Sequence, residues 1–270
     1  MLYKKIDLDE RYPDANLTFY VHDEADSALP MIVVCPGGGY RFLSGREAAP
    51  IAEYYYNAGF NSCVLRYSIG KNAVNYAPMI QVGLAIKYIR ENAADLKVDS
   101  DAIFTCGFSA GGHLAASAGI LWDKPEVLSA MGDAPLGITC PNGMILSYPV
   151  ITSGPETHRG SIANLCGNTD YSVEEGERFS LDLHVKSATP PMFIWHTFGD
   201  KGVHIHNATR LIEAYIQNGI PFEAHIYPYG PHGMALANEV TWEGNPDMKD
   251  AHVAGWIDLS AEWVRIQVKK

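Results

Sequence analysis

The chain has 270 residues, 47% hydrophobic and 19% charged, a balance that excludes a disordered polypeptide, and it holds no apolar run of the roughly 18 residues that a membrane span needs. Against 31 acidic residues there are only 20 basic ones, a formal charge of -11, which is the wrong sign for gripping nucleic acid or an anionic membrane surface, and no Lys/Arg cluster offsets it. Five cysteines, with Cys35, Cys63 and Cys106 in or at the end of apolar runs, point to buried thiols rather than a disulfide framework, and an N-terminus without an apolar signal region points to a cytoplasmic protein.

In chain order, 17–21 alternates as a half-exposed strand does, and 31–35 is apolar throughout. A helix over 51–58 stops at Gly59, a strand follows at 62–65, and 76–94 carries Ile80, Leu84 and Tyr88 on one helical stripe. The apolar strand 102–106 runs through Gly107 to Ser109 and an Ala-rich helix, and 143–146 and 192–195 are further apolar strands. A helix over 206–218 ends at Gly219, the strand 222–227 reads as mostly apolar, and 253–268 places Trp256, Leu259, Trp263 and Ile266 at three- and four-residue steps. Strands apolar on both faces, alternating with helices, predict an α/β chain: a mostly parallel sheet covered on both sides, in one domain over 1–270. Between 149 and 191 the periodicity weakens while Gly, Ser, Thr and Asp accumulate; a loop of that length is expected to be a lid or a substrate-binding insertion.

The strongest local signal is Gly107-Phe108-Ser109-Ala110-Gly111 between a buried strand and a helix. A serine on such a turn is lifted out of the sheet, and glycines two residues to either side leave room for strand and helix to approach. Ser109 is therefore the candidate nucleophile. The strand 31–35 ends in Pro36-Gly37-Gly38-Gly39-Tyr40, which lacks the spacing and the lysine of a phosphate loop; bare amides at Gly38 and Gly39 suit an oxyanion hole, completed by the N–H of Ala110.

A serine needs a base, and the base needs a carboxylate to hold its tautomer. Among Asp123, Asp133, Asp170, Asp182, Asp200 and Glu223, only Asp200 follows a buried strand through a short Gly-containing turn. His232, in Gly230-Pro231-His232-Gly233 just after the strand 222–227, completes the order Ser, Asp, His. His113, one helical turn from Ser109, is expected to bond backbone instead. The group His196, His204, His206 has no carboxylate or thiol at matching spacing, so no metal site is expected. Tyr40 and Phe42 beside the glycine loop, with Trp195 and Trp242, are candidates for an aromatic wall against a sugar or aryl group, although core packing accounts equally well for Trp195.

On these residues the chain resembles the α/β-hydrolase superfamily, in particular the bacterial acetyl esterase and lipase-like group related to acetyl xylan esterases and other carbohydrate esterases. The landmarks are Pro36-Gly37-Gly38-Gly39-Tyr40, Gly107 to Leu114, Pro190-Pro191 ahead of Trp195-His196-Thr197, Asp200 with Val203, and Pro231-His232-Gly233. The resemblance implies an α/β-hydrolase fold of about eight strands, with Ser109 as nucleophile, His232 as general base and acid, Asp200 as its orienting carboxylate, and Gly38, Gly39 and Ala110 as oxyanion donors. Pro36 stands where related loops often begin with His, which leaves the pair of oxyanion amides open by one residue, and Val203-His204 replaces the usual Val-Pro.

The implied activity is cofactor-free hydrolysis of short-chain carboxylic esters, with O-acetylated carbohydrate as the expected substrate class. The same triad would serve an amidase, an aryl-formamidase or a peptidase, and a non-catalytic ligand-binding relative is the competing class. The expected partner is a small-molecule ester or acetylated sugar, with no nucleic acid or membrane, and a homo-oligomer is compatible. A neutral His232 as base implies a rate that falls as pH drops through roughly 6 to 7.

Overall fold

A computed structural model describes residues 2–269. Eight strands form one sheet: β1 (Leu2–Asp7), β2 (Asn16–Val21), β3 (Leu29–Cys35), β4 (Asn61–Arg66), β5 (Val98–Phe108), β6 (Gly143–Ser147), β7 (Met192–Thr197) and β8 (Phe222–Tyr227). Their spatial order is β1-β2-β4-β3-β5-β6-β7-β8. The pairings β1/β2 and β2/β4 are antiparallel and all the others are parallel. The helices are α1 (Ala49–Asn57), α2 (Ala77–Glu91), α3 (Ala110–Ile120), α4 (Pro125–Leu128), α5 (Arg159–Cys166), α6 (Val173–Glu177), α7 (His206–Gln217), α8 (Ala251–Ala254) and α9 (Trp256–Val268). Among the described residues no helix is long and apolar enough to cross a membrane.

The central strands divide their side chains between two cores. On β3, Met31, Val33 and Cys35 enter the layer shared with α2, α3 and α7, while Ile32 and Val34 enter the layer shared with α1 and α9. Successive side chains of a strand point to opposite faces, so a strand buried on both faces is mostly apolar, and a polar exception such as Thr105 finds a partner, here the Ala115 carbonyl. In register, Val33 lies opposite Cys63 of β4 on one side and Thr105 of β5 on the other.

The sheet has a strand that the periodicity does not reveal: β1, whose Lys4 and Lys5 stand exposed at the edge. At the opposite edge β8 is not apolar throughout as expected but mostly half-buried, with Ile226 facing solvent. The C-terminal helix is broken, α8 ending at Ala254 and α9 starting at Trp256. The segment 149–191 is structured: α5 stops at Gly167 in the left-handed conformation, and α6 opens on a reciprocal cap between Ser172 and Glu175. Val150, Ile151, Ile162, Leu165, Phe179 and Leu181 fasten it to the core.

Because β3, β5, β6, β7 and β8 run parallel, all their carboxyl ends open at one edge of the sheet, where ligands bind in open α/β sheets. The loops after them carry Gly37 to Gly39, Ser109, Tyr148, Asp200 and His232.

Candidate active site

Ser109 joins β5 to α3 with φ 54° and ψ -119°, a left-handed conformation that costs a non-glycine residue of order 1–3 kcal/mol and persists only where its surroundings enforce it. The enforcement is visible. The Ser109 amide donates to the Ser147 carbonyl, and its carbonyl accepts from His113 and Val150. A Cβ added at Gly107 would lie 2.1 Å from the Gly111 carbonyl oxygen, and one at Gly111 would lie 2.1 Å from that of Cys35. Only glycine at both positions lets strand and helix meet, and the meeting turns the Ser109 hydroxyl outward.

The Ser109 hydroxyl is 2.8 Å from His232 Nε2, and His232 Nδ1 is 2.7 Å from Asp200 Oδ2. A carboxylate only accepts, so Nδ1 carries the hydrogen and Nε2 is left to accept from Ser109. Asp200 Oδ1 accepts the amides of Gly202 and Val203 at 2.8 and 2.9 Å, and Oδ2 also lies 3.3 Å from His196 Nε2. Burial disfavours the Asp200 charge, but the hydrogen bonds from His196, His232 and Val203 override it and hold the carboxyl well below the usual carboxylate range. The sequence-predicted Ser109, His232 and Asp200 are thus brought into one chain of hydrogen bonds.

The glycine loop lies across from this relay. Gly38, Gly39 and Tyr40 all have positive φ, and a Cβ at Gly38 would fall 2.1 Å from the Phe42 carbonyl oxygen. The Gly37 amide donates to Glu47 Oε2 at 2.9 Å, whereas the amides of Gly38, Gly39 and Tyr40 have no acceptor among the described residues. The Ala110 amide is the first of α3, where a helix has no acceptor of its own. The loop is held from outside as well. Tyr67 donates to the Pro36 carbonyl at 2.5 Å, and Asn164 of α5 donates to the Gly39 carbonyl at 2.8 Å.

A cavity of about 400 Å³ opens on Ser109 and His232, with Gly38, Gly39, Phe42, His158 and Asn164 in its wall. Phe42, half-exposed, stands in its wall. Tyr40 does not and is corrected here: its positive φ turns the side chain inward, where it is fully buried and its hydroxyl donates to His113 Nδ1 at 2.8 Å. Trp195 is likewise core, donating to Ser147 Oγ, and Trp242 lies under the Lys249 ammonium. The His113 Nε2–H donates to the Phe179 carbonyl, so that ring is committed on both nitrogens.

The segment 149–191, expected as a lid or substrate-binding insertion, lends His158 and Asn164 to the cavity wall, two residues the sequence does not mark, because an amide or imidazole in an irregular stretch has no spacing to distinguish it. Burial, helped by the nearby His232, pushes the His158 pKa down. His196 meets Asp200 and the Val203 carbonyl, whereas His204 and His206 lie against each other with His206 near Glu156. Among the described residues no group of three His, Cys, Asp or Glu side chains could hold a metal ion.

The family model BD-FAE matches residues 17–135. The chain is 35% identical over 237 residues, 85% of its length, to endo-1,4-beta-xylanase B of Butyrivibrio fibrisolvens, of which it covers 36%, and it spans under half the length of the curated relatives it matches. Two solved structures superpose over nearly the whole chain. An acetyl ester-xyloside bifunctional hydrolase from Caldicellulosiruptor lactoaceticus is 30% identical, with a TM-score of 0.84 and coverage of 97% of this chain and 96% of that one. A carboxylesterase from Lactobacillus plantarum is also 30% identical, with a TM-score of 0.86 and coverage of 99% and 98%. With an eight-stranded, mostly parallel sheet, a strand–serine–helix elbow at its carboxyl edge and relatives of this kind, the chain belongs to the α/β-hydrolase superfamily, in its acetyl esterase and lipase-like group.

Proposed function

We propose that this protein hydrolyses short-chain carboxylic esters, O-acetyl groups of carbohydrates in particular, through a covalent acyl-enzyme on Ser109. The observation that carries the reading is the 2.8 Å bond between the strained Ser109 hydroxyl and His232 Nε2. Ser109 Oγ adds to the ester carbonyl carbon as its proton passes to His232 Nε2, and the oxyanion that forms is met by the amides of Gly38, Gly39 and Ala110. The carbonyl–alkoxy bond then breaks and His232 returns the proton to the departing alcohol. Water repeats the sequence on the acyl-enzyme: His232 takes its proton, the acid leaves, and Ser109 recovers its hydrogen.

Asp200 remains ionised throughout and stabilises the imidazolium. The acetyl-carbohydrate assignment draws on the xylan-related relatives and on a cavity of about 400 Å³ that suits a small acyl group beside a sugar-sized alcohol. The 149–191 segment contributes His158 and Asn164 to this cavity and is read as a substrate-binding insertion.

Replacing Ser109 with Ala should lower hydrolysis of an activated acetyl ester by about three or more orders of magnitude and abolish labelling by an activated organophosphonate. Retention of most activity would remove Ser109 from the reaction. Profiling acetylated xylo-oligosaccharides against longer acyl esters and aryl amides decides the substrate: a preference for the amides would replace the ester reading with an amidase.

A further inference from the structure

Glu47 closes a short 3-10 turn, Gly45–Glu47, behind the glycine loop and is 3% exposed, a position where a carboxylate must be met by donors. Each of its oxygens meets one. Oε2 accepts the Gly37 amide at 2.9 Å, and Oε1 accepts the Tyr148 hydroxyl at 2.8 Å. The same hydroxyl accepts the amide of Ala235, three residues beyond His232. The Tyr148 ring stands edge-on to the His232 imidazole, centroids 5.1 Å apart.

The carboxylate also stands close behind the nucleophile, because a Cβ at Gly37 would lie 2.6 Å from Glu47 Oε2 and 3.1 Å from Ser109 Cβ. Burial pushes the Glu47 pKa up, while Tyr148, Gly37, His232 and Arg46 act in the other direction.

We propose that Glu47 is a positioning residue for acyl transfer: its carboxylate ties the oxyanion loop to the loop of His232 and faces the cation that His232 becomes. The inference rests on the reading of Ser109 as nucleophile and His232 as base. By taking the Gly37 amide, Glu47 leaves the following two amides for the substrate oxygen. By holding Tyr148, it fixes the surface against which the His232 ring rests. A second anion near the imidazole adds to Asp200, on a site whose other charged or titratable neighbours are Arg41, Arg46, His158, His196 beside Asp200 and, behind Glu47, Tyr67.

The test uses Glu47→Gln and Tyr148→Phe on an activated acetyl ester. Glutamine keeps the volume and can still accept from Gly37, but it carries no charge. Its kcat should fall roughly tenfold to a hundredfold with KM changed less than about threefold, and the acid limb of kcat/KM should move to lower pH because the His232 cation loses an anion. Tyr148→Phe removes a hydrogen bond that favours ionised Glu47, so its acid limb should move the same way, to lower pH, but less far, with a smaller loss of kcat.

A packing role alone would lower the Tm of both variants and leave both limbs in place, which overturns the inference. So does a folded Glu47→Gln with kcat within about twofold of the parent. If Glu47→Gln does not fold, the direction of the Tyr148→Phe limb decides. An active Ser109→Ala overturns the underlying reading instead, whereas an inactive Ser109→Ala beside unaffected Glu47 and Tyr148 variants overturns this inference alone.

Discussion

His113 is closer in sequence to Ser109 than any other histidine, and the structure shows why proximity does not make it a base. Its Nδ1 accepts from Tyr40 and its Nε2–H donates to the Phe179 carbonyl, in a pocket whose burial pulls its pKa from 6.5 down to about 4. The unfolded chain takes up a proton that the folded one refuses between those values, so the stabilisation is complete above about pH 6.5 and is lost as pH falls toward 4, to a limit of about 3 kcal/mol. Denaturant titrations between pH 7 and 4.5 should show this slope, and His113→Gln should flatten it; an unchanged slope would assign the acid sensitivity elsewhere.

At this scale Ser109, Asp200 and His232 were legible because each follows the end of a strand, and parallel strands end at one edge. Tyr40 was misread because nothing in the string Gly38-Gly39-Tyr40 reports which way a residue with positive φ points its ring. Glu47 left no mark at all, since Arg46-Glu47 reads as ordinary surface charge until the fold buries it.

The elbow is an element whose requirements can be stated in ångströms. At Gly111 a methyl group would press against the Cys35 carbonyl, backbone that cannot swing aside as a long side chain can. Gly111→Ala should therefore destabilise the protein by more than about 3 kcal/mol or prevent its folding, while Gly45→Ala, with nothing within 4 Å of the added Cβ, should stay within about 0.5 kcal/mol of the parent. Thermal melts of the two variants compare them directly; similar Tm values would show that strand and helix yield more readily than their contact distance implies.

Legibility at the level of elements followed burial. The central parts of β3 to β7 are buried on both faces and read as mostly apolar runs, but β1 carries Lys4-Lys5 at an edge and leaves no alternation to find. The helices α5 and α6, of eight and five residues, are too short for a 3.6-residue period to register in a window of 11–18.

Across the whole molecule, one sheet separates two cores, and the C-terminal helix reaches through the second of them to the loop of His232. Trp256 stacks on Trp195 with centroids 5.1 Å apart, meets Phe108 edge-on, and donates its indole N–H to the Ala235 carbonyl. Trp256→Ala should cost about 3–5 kcal/mol of stability and should also lower kcat at temperatures where the variant remains folded, because the backing of the His232 loop is lost with the ring. A destabilised variant with unchanged kcat would show that the loop holds its geometry without that support.

Asp200 has more partners than orienting one imidazole requires. One oxygen accepts two amides and the other serves both His232 and His196, and His196 Nδ1 has no partner, which leaves its hydrogen on Nε2, shared between Asp200 and the Val203 carbonyl. Were His232 to swing aside while an alcohol departs or water enters, the buried anion would still be grounded by His196 and the two amides. On the proposed reading, the His232 ring can then leave and rejoin an anion that its other partners hold in place.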